Sequence, residues 1–320
     1  MTRRLRVALL AGGRSSEHDI SLLSARSVLE ALDPERYDVV SVSIGRDGRW
    51  SVEPLAALGA VDVVLPILHG PFGEDGTVQG LLELADVAYI GAGVAASALA
   101  MDKDLFKKVL RDSGIPVAAH HAIRLGDPVE NPFGYPVFVK PARLGSSVGI
   151  SKVHDASELA PAVALARRHD EKVLVEEFVE GMEVECGVLG NRVPPPIASL
   201  PGRIDTLEHE WYDFESKYDE DGMQLIIPPE LPQATIELVQ QRSVDAFIAS
   251  ECEGLARVDF FVRASDGEVI VNELNTMPGF TATSVYAKLF EASGVSYVEL
   301  VDRLIALALE RHERRSSLLY

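Results

Sequence analysis

The sequence predicts an α/β protein with more than one domain. Strand-like and helix-like segments alternate through the first 100 residues, which is the pattern of a parallel sheet covered by helices. Near the C-terminus, two β-like segments flank a Gly-containing turn and predict an antiparallel hairpin. The chain has 320 residues, which is too long for one ordinary domain and suits two or three.

The first domain is expected to span residues 1–100. Residues 16–19 resemble a capping box at the start of a helix that runs to about residue 31. Apolar residues at helical spacing predict the buried face of this helix, and they are Leu22, Leu23, Ala25, Val28 and Leu29. The remaining elements expected here are strands at 5–11, 37–44, 61–68 and 87–90 and a helix at 77–85.

Two further domains are expected at residues 101–182 and 183–320. The middle one should contain helices at 101–113 and 156–168 and strands at 136–140, 149–153 and 172–176. The last one should contain a strand at 183–189, a helix at 232–250, the hairpin at 256–275 and a helix at 297–312. A polar and aromatic segment at about 204–223 is long for a loop, and long loops are often lids over a site.

Composition and charge exclude several classes of function. Hydrophobic residues make up 47% of the chain and charged residues 25%, which are globular values. A net charge of −19 argues against non-specific binding to nucleic acid or to an anionic membrane surface. No apolar run reaches the roughly 18–20 residues of a membrane span. The two cysteines have neither metal-site spacing nor the density of a disulfide scaffold, and we expect a cytoplasmic protein.

The C-terminal hairpin carries the strongest chemical signal. If it folds symmetrically about Asp266, Asp259 lies opposite Glu273, and the two-residue period of a strand adds Arg257 and Asn275 to the same face. Opposed carboxylates repel unless a cation lies between them, and this oxygen-rich set suits Mg²⁺ on a nucleotide triphosphate. The alternative is a solvated strand face, against which the apolar flanking residues argue.

A Gly/Ser loop at residues 141–149 predicts a phosphate site. It follows a strand that ends in Lys140, and its backbone N–H groups together with Ser146 and Ser147 can surround phosphate oxygens. The order of residues is not that of a Walker A loop, and a simple hairpin turn is the alternative. Lys103 could add a second positive charge, and Glu183 at the start of a later strand could accept ribose hydroxyl groups.

Two loops of the first domain are candidates for a substrate site. Residues 12–17 and 69–77 both follow strands, and ligands of parallel sheets bind at the carboxyl ends of strands. Glu17 would suit an ammonium group, and His69 would suit a carboxylate. The loops lack the G-x-G-x-x-G pattern, which argues against a dinucleotide.

In their order along the chain, these motifs resemble those of the D-alanine–D-alanine ligase family of the ATP-grasp superfamily. The matching segments span nearly the whole sequence and lie at 11–21, 68–76, 101–103, 139–149, 212–218, 257–260 and 272–281. The resemblance implies an α/β (α+β) three-domain ATP-grasp architecture. The N-terminal domain would bind substrate, the central one would carry the Gly/Ser flap, and the C-terminal one would be catalytic.

The resemblance also implies the reaction. ATP would phosphorylate the carboxylate of one D-alanine, and the amine of a second D-alanine would attack the acyl phosphate to give D-alanyl-D-alanine for peptidoglycan precursors. The implied cofactors are ATP and two Mg²⁺ ions, with Mn²⁺ as a substitute. The implied partners are these small molecules and a second copy of the chain in a homodimer, with no nucleic acid and no membrane.

Residue roles follow from the same resemblance. Glu17 would bind the first ammonium group, and Arg257 with the backbone N–H of Gly279 would stabilise the oxyanion. Tyr218 would close the lid through Ser146 and Glu17. The second carboxylate would be bound by Ser284 and Lys217, and His69 would also contact substrate. The metal ligands would be Asp259, Glu273 and Asn275. The nucleotide would be held by Lys103, Lys140, Ser147, Glu176, Val179, Glu183, Phe261 and Asn272.

Two other functions remain open from the sequence. Another ATP-grasp carboxylate–amine ligase would not need Glu17 or the Lys217-Tyr218 pair, which resembles the lid of D-alanine-specific ligases. A non-catalytic nucleotide-binding protein on the same fold would not need Arg257 beside a metal site.

Overall fold

The computed structural model describes residues 3–206 and 223–319. The first sheet of this part of the chain is parallel, with strand order β2-β1-β3-β4. Its strands are β1 (Leu5–Gly12), β2 (Tyr37–Ile44), β3 (Val63–Ile67) and β4 (Ala88–Tyr89). The alternating pattern of the first 100 residues therefore predicted this sheet correctly.

Helices connect and cover the first sheet. They are α1 (His18–Ala31), α2 (Pro54–Leu58), α3 (Thr77–Leu84) and, from the end of the chain, α9 (Tyr297–Ser316). Apolar residues of α9, among them Leu300 and Leu304, share one hydrophobic core with Val7 and Leu65 of the sheet. The C-terminal helix therefore packs on the N-terminal sheet, and it continues four residues beyond its expected end. The division at residues 100 and 182 remains a prediction.

The prediction for the buried face of α1 was right for Ala25 and Val28 and wrong for its three leucines. Leu22, Leu23 and Leu29 are exposed, whereas Ser21 and Ser24 are fully buried together with Ala25 and Val28. Both serine hydroxyls have partners inside the fold, because Ser21 Oγ accepts from the Gly12 amide and Ser24 Oγ lies 3.2 Å from His69 Nε2. The expected capping box is also absent at this helix, since its N-cap residue is Glu17 and no side chain caps it.

The second sheet is antiparallel, with order β5-β8-β6-β7. Its strands are β5 (His120–Ile123), β6 (Val137–Pro141), β7 (Ser151–Val153) and β8 (Val173–Glu177), and helix α6 (Ala156–Ala166) packs against one face. The Gly/Ser loop joins β6 to β7, so the expected hairpin flap is confirmed. The strand β5 was not expected.

The third sheet is antiparallel and forms the centre of the C-terminal part. Strand order is β12-β11-β9-β13-β14, with β10 paired to β9. The strands are β9 (Gly181–Gly190), β10 (Ile197–Ala198), β11 (Gly202–Thr206), β12 (Met223–Ile226), β13 (Gly254–Arg263) and β14 (Val269–Asn275). Two helices, α7 (Gln233–Ala249) and the unexpected α8 (Val285–Ala292), cover this region.

Two short helices link the first sheet to the second. They are α4 (Val94–Met101) and α5 (Lys103–Asp112), and the break between them is at Asp102. Asp102 has an extended backbone, and its carboxylate accepts the amide of Leu105, which makes it an N-cap. The helix expected at 101–113 therefore starts at Lys103. None of the helices described is both long and apolar enough to cross a membrane.

Candidate active site

The hairpin of β13 and β14 has the predicted pairing. Asp259 is opposite Glu273, and Arg257 is opposite Asn275. The register then shifts between Asp259 and Phe260, so that Phe260 pairs with Val271 and the expected symmetry about Asp266 ends there. Such a bulge increases the local twist of a strand and is common beside active sites.

A single cleft collects ten of the predicted site residues. It is lined by the flap, by β6 and β8 of the second sheet, by β9, β13 and β14 of the third sheet, and by the start of α5. The ten residues are Lys103, Lys140, Ser146, Ser147, Glu176, Glu183, Asp259, Phe261, Asn272 and Glu273. The cleft therefore places the Gly/Ser loop opposite the acidic hairpin.

The flap has an unusual backbone. Ser146 and Ser147 both have left-handed φ angles, +53° and +56°, which residues other than glycine rarely adopt. Strained positions of this kind concentrate at functional sites. The flap is anchored by Lys103, whose amide donates to Ala142 O at 3.0 Å and whose Nζ donates to Leu144 O at 2.8 Å.

Two lysines contact one buried glutamate beside the flap. Lys140 Nζ donates to Glu176 Oε1 at 2.6 Å, and Lys107 Nζ lies 2.9 Å from Glu176 Oε2. Burial alone would raise the pKa of Glu176, but Lys107 and Lys140 outweigh it and lower this pKa to about 2. Burial lowers the pKa of Lys107 to about 8, against the raising effect of Glu176. The glutamate is therefore ionised at neutral pH.

Protein cations also contact both carboxylates of the hairpin. Arg257 binds Asp259 through two hydrogen bonds of 2.7 and 2.8 Å, and Asn275 Nδ2 donates to Asp259 at 3.0 Å. Lys103 Nζ lies 3.2 Å from Glu273 Oε2. Arg257 Nε, which donates to Asp259, also lies 2.9 Å from Oε2 of the buried Glu185. Each of the two hairpin carboxylates therefore already has a protein cation at ion-pair distance.

The donor set fits a hard divalent cation. Asp259, Glu273 and Asn275 supply two carboxylates and an amide oxygen, the ligand types that Mg²⁺ prefers, and few protein ligands leave room for phosphate oxygens. Among residues 3–206 and 223–319, no three His, Cys, Asp or Glu side chains gather closely enough to form a metal cage by themselves.

The two loops of the first sheet form a second cluster. His69 is buried, with Nδ1 at 3.0 Å from Met277 O and 3.6 Å from Glu74 Oε1. Burial alone would lower the pKa of His69, but Glu74 and Glu17 outweigh it and raise this pKa. Burial also raises the pKa of Glu74. A Cβ atom on Gly145 of the flap would lie 4.0 Å from Glu17 Oε2, so this cluster adjoins the flap.

Three of the other predicted residues, Val179, Gly279 and Ser284, lie in the described part of the chain. Ser284 Oγ accepts the amide of Thr281 at 3.0 Å, and a Cβ on Gly279 would lie 3.3 Å from the same oxygen. Val179 is buried and packs with Ala118 and Ile270. Lys217 and Tyr218 lie outside the described residues, as does most of the expected lid.

Sequence reasoning missed three charged residues of this region, Lys107, Glu185 and Glu74. Lys107 is one helical turn after Lys103, and Glu185 is two residues after Glu183, so each shares a face with a residue that was selected. Register places Glu185 beside Asp259 on neighbouring strands. Lys107 and Glu185 could therefore have been found from their helical and strand spacing to Lys103 and Glu183.

Comparison with known proteins gives a consistent result along the chain. The family model described as D-ala D-ala ligase C-terminus matches residues 109–306, and that of the N-terminus matches residues 6–57 and 51–92. The D-alanine–D-alanine ligase of Solibacter usitatus is 45% identical over 98% of this chain and 98% of its own length.

Two solved structures show the same fold. That of the D-alanine–D-alanine ligase from Coxiella burnetii has a TM-score of 0.87 and 36% identity, over 98% of this chain and 97% of the other. The Bacillus anthracis ligase, solved with ATP, has a TM-score of 0.83 and 27% identity, over 97% and 99%. The expected ATP-grasp architecture is thereby confirmed, and the chain belongs to the D-alanine–D-alanine ligase family.

Proposed function

We propose that this chain joins two D-alanines to D-alanyl-D-alanine and converts ATP to ADP and phosphate. The observation that carries the proposal is the cleft in which the Gly/Ser flap, with Lys103 and Lys140 beside it, faces the acidic hairpin and Arg257. A phosphate donor and a carboxylate acceptor repel each other, so a ligase of this type needs cations on both sides of the transferred group. Peptidoglycan precursor synthesis would use the product.

We propose that the nucleotide binds in this cleft. Lys103, Lys140 and the Ser146-Ser147 backbone would hold phosphate oxygens, because they combine two positive charges with N–H and hydroxyl donors. The nucleoside would lie among Glu176, Val179, Glu183, Phe261 and Asn272. The buried Oδ1 atom of Asn272 has no hydrogen-bond partner among the described residues, which supports a ligand there.

Divalent metal ions are assigned to the hairpin. Asp259, Glu273 and Asn275 would hold two Mg²⁺ ions, or Mn²⁺ in their place. When bound, these ions would neutralise phosphate charge and align the transferred group. The chain's own contribution is to hold the two carboxylates in place, through the contact of Asp259 with Arg257 and that of Glu273 with Lys103.

The reaction then uses the residues around the cleft. A carboxylate oxygen of the first D-alanine attacks the γ-phosphorus, and the bond to ADP breaks. The uncharged amine of the second D-alanine attacks the acyl carbon, the bond from that carbon to the phosphate oxygen breaks, and the nitrogen loses a proton. Arg257 and the Gly279 amide would donate to the oxyanion between these events.

Substrate groups are assigned around the same centre. Glu17 would bind the first ammonium group beside His69, and Ser284 with Lys217 would bind the second carboxylate. Tyr218 would close the lid through Ser146 and Glu17. A closed lid would keep water from the acyl phosphate.

We also propose a cytoplasmic homodimer. Use of ATP supports that location, and the exposed leucines of α1, Leu22, Leu23 and Leu29, support a contact with a second copy because large apolar patches often mark interfaces. Light scattering on a sizing column would give twice the 34.7 kDa chain mass. A monomer at micromolar concentration would contradict this.

The function is tested by incubating the protein with ATP, Mg²⁺ and D-alanine. Phosphate and the dipeptide, identified by its mass, should form in equal molar amounts, and Glu273→Gln should abolish both. L-alanine, and D-alanine with D-lactate, run in parallel and test the specificity. Bound ATP without any dipeptide would overturn the proposal and favour another amino-acid pair or a binding role.

A further inference from the structure

We propose that Lys107 is a positioning residue that acts as the permanent counter-ion of Glu176 and thereby leaves Lys140 available to ATP. This inference rests on the proposed function, because it assumes that ATP binds beside Lys140. It assigns a role to a lysine that is completely buried and that has no place in the proposed chemistry.

The three side chains form a row with unequal access to the cleft. Lys107 Nζ lies 2.9 Å from Glu176 Oε2, and Lys140 Nζ donates to Oε1 of the same carboxylate at 2.6 Å. Lys140 and Glu176 both line the cleft, with 6% and 2% of their surface exposed, whereas Lys107 is fully buried and is not part of the lining. Lys107 is therefore behind the carboxylate, and Lys140 is in front of it.

One carboxylate does not need two cations. A buried charge requires a partner, and one lysine at ion-pair distance supplies it. The second cation is then in excess, and it is the one next to the proposed phosphate position. Phosphate oxygens can compete with Glu176 for Lys140 only if Glu176 keeps a counter-ion when Lys140 moves to them. Without Lys107, Glu176 would retain Lys140 and weaken ATP binding.

The position of Lys107 on α5 supports a role in the site. Lys103, one turn earlier, pairs with Glu273 of the hairpin and donates to Leu144 O of the flap. The next residue, Lys108, is half exposed and pairs with Asp104 at 2.9 Å. Lys108 therefore provides a matched control with the same side chain on the same helix.

The experiment compares Lys107→Met with Lys108→Met and the unaltered protein. KM for ATP and kcat are measured in the ligation assay at saturating D-alanine, and the Kd for ATP is measured by calorimetry without D-alanine. We expect Lys107→Met to raise the KM and Kd for ATP about tenfold, as for coupled residues in one network, with kcat within about threefold. Lys108→Met should leave all three unchanged.

A second comparison keeps the test decisive if Lys107→Met does not fold. In a Glu176→Gln background the carboxylate charge is gone, so adding Lys107→Met should not change the Kd for ATP further. An unchanged Kd in Lys107→Met, an equal shift in Lys108→Met, or a further Kd change in the double variant would overturn the proposal. If the unaltered protein binds ATP but makes no dipeptide, the proposed function fails, and the Kd comparison still decides the role of Lys107.

Discussion

Replacing Arg257 should separate the stability of the site from its chemistry. Arg257 is held between two carboxylates, with two hydrogen bonds to Asp259 and an ion pair of 2.9 Å to Glu185. Side-chain exposure is 14% for Arg257, 13% for Asp259 and 4% for Glu185, so solvent screens these contacts weakly. The guanidinium therefore stabilises the hairpin, and we also propose that it donates to the oxyanion.

The two roles predict different effects for two substitutions. Arg257→Met removes the cation shared by the buried Glu185 and the partly buried Asp259, which should cost about 3–5 kcal/mol of unfolding free energy. Arg257→Lys keeps the charge but loses the two-pronged geometry, which should cost about 1.5–3 kcal/mol, the range for one charged hydrogen bond. Loss of an oxyanion donor should lower kcat by about 10²–10³ in both variants.

Urea unfolding and ligation kinetics below the unfolding transition give the two quantities. Arg263→Met is the control, because Arg263 lies on the same strand and pairs with the exposed Asp266 and Glu268. Such pairs contribute about 0–1 kcal/mol, and kcat should not change. A folded Arg257→Lys protein with kcat within about threefold of the original would refute the oxyanion assignment.

Three further predictions concern stability, and urea unfolding checks each. Phe106→Ala should cost about 3–5 kcal/mol because Phe106 is fully buried, whereas Leu105→Ala, at an exposed position on the same helix, should stay within about 0.5 kcal/mol. Gly80→Ala should stabilise the protein by about 0.5–1 kcal/mol, because a Cβ in the middle of α3 meets nothing within 4 Å. Burial alone would lower the pKa of His69, but Glu74 outweighs it and raises this pKa above 6.5. Protonated His69 therefore stabilises the fold below pH 6.5, and this contribution is lost as the pH rises through the raised pKa. The unaltered protein should therefore lose stability from pH 6 to pH 9, and Glu74→Gln should lose less; equal losses would contradict the assignment.

The acidic hairpin could be predicted from sequence because its geometry is local. The position of the Gly-containing turn and the two-residue period of strands indicate which residues face each other, and the pairing of Asp259 with Glu273 followed from these alone. The bulge at Phe260 could not be predicted in this way. It results from an extra residue on β14, Asn272, since β13 keeps a regular register with β9, and hairpin symmetry alone does not reveal such an insertion.

The buried face of α1 could be predicted only in part, because hydrophobicity selects Ala25 and Val28 but not the buried Ser21 and Ser24. Ser21 and Ser24 are buried since their hydroxyls bind main-chain and histidine groups of the neighbouring loops. A buried hydroxyl is stable where it has such partners, and the partners lie on strands and loops distant in sequence. The leucines of the same helix are exposed as a consequence, because one face of a helix cannot accommodate both sets.

The charge of the site also follows from tertiary structure and not from composition. The chain has a net charge of −19, yet Lys103 and Lys140 line the cleft and Lys107 is buried next to them against Glu176. Each of these lysines is paired with Glu176 or Glu273, so carboxylates of the chain already balance much of this positive charge. A phosphate group has to compete with a carboxylate for Lys103 and Lys140. On the proposed function, Lys107 would keep Glu176 paired when Lys140 moves to phosphate, and cations brought to the hairpin would replace Lys103 at Glu273, which would favour a metal–nucleotide complex over a free anion.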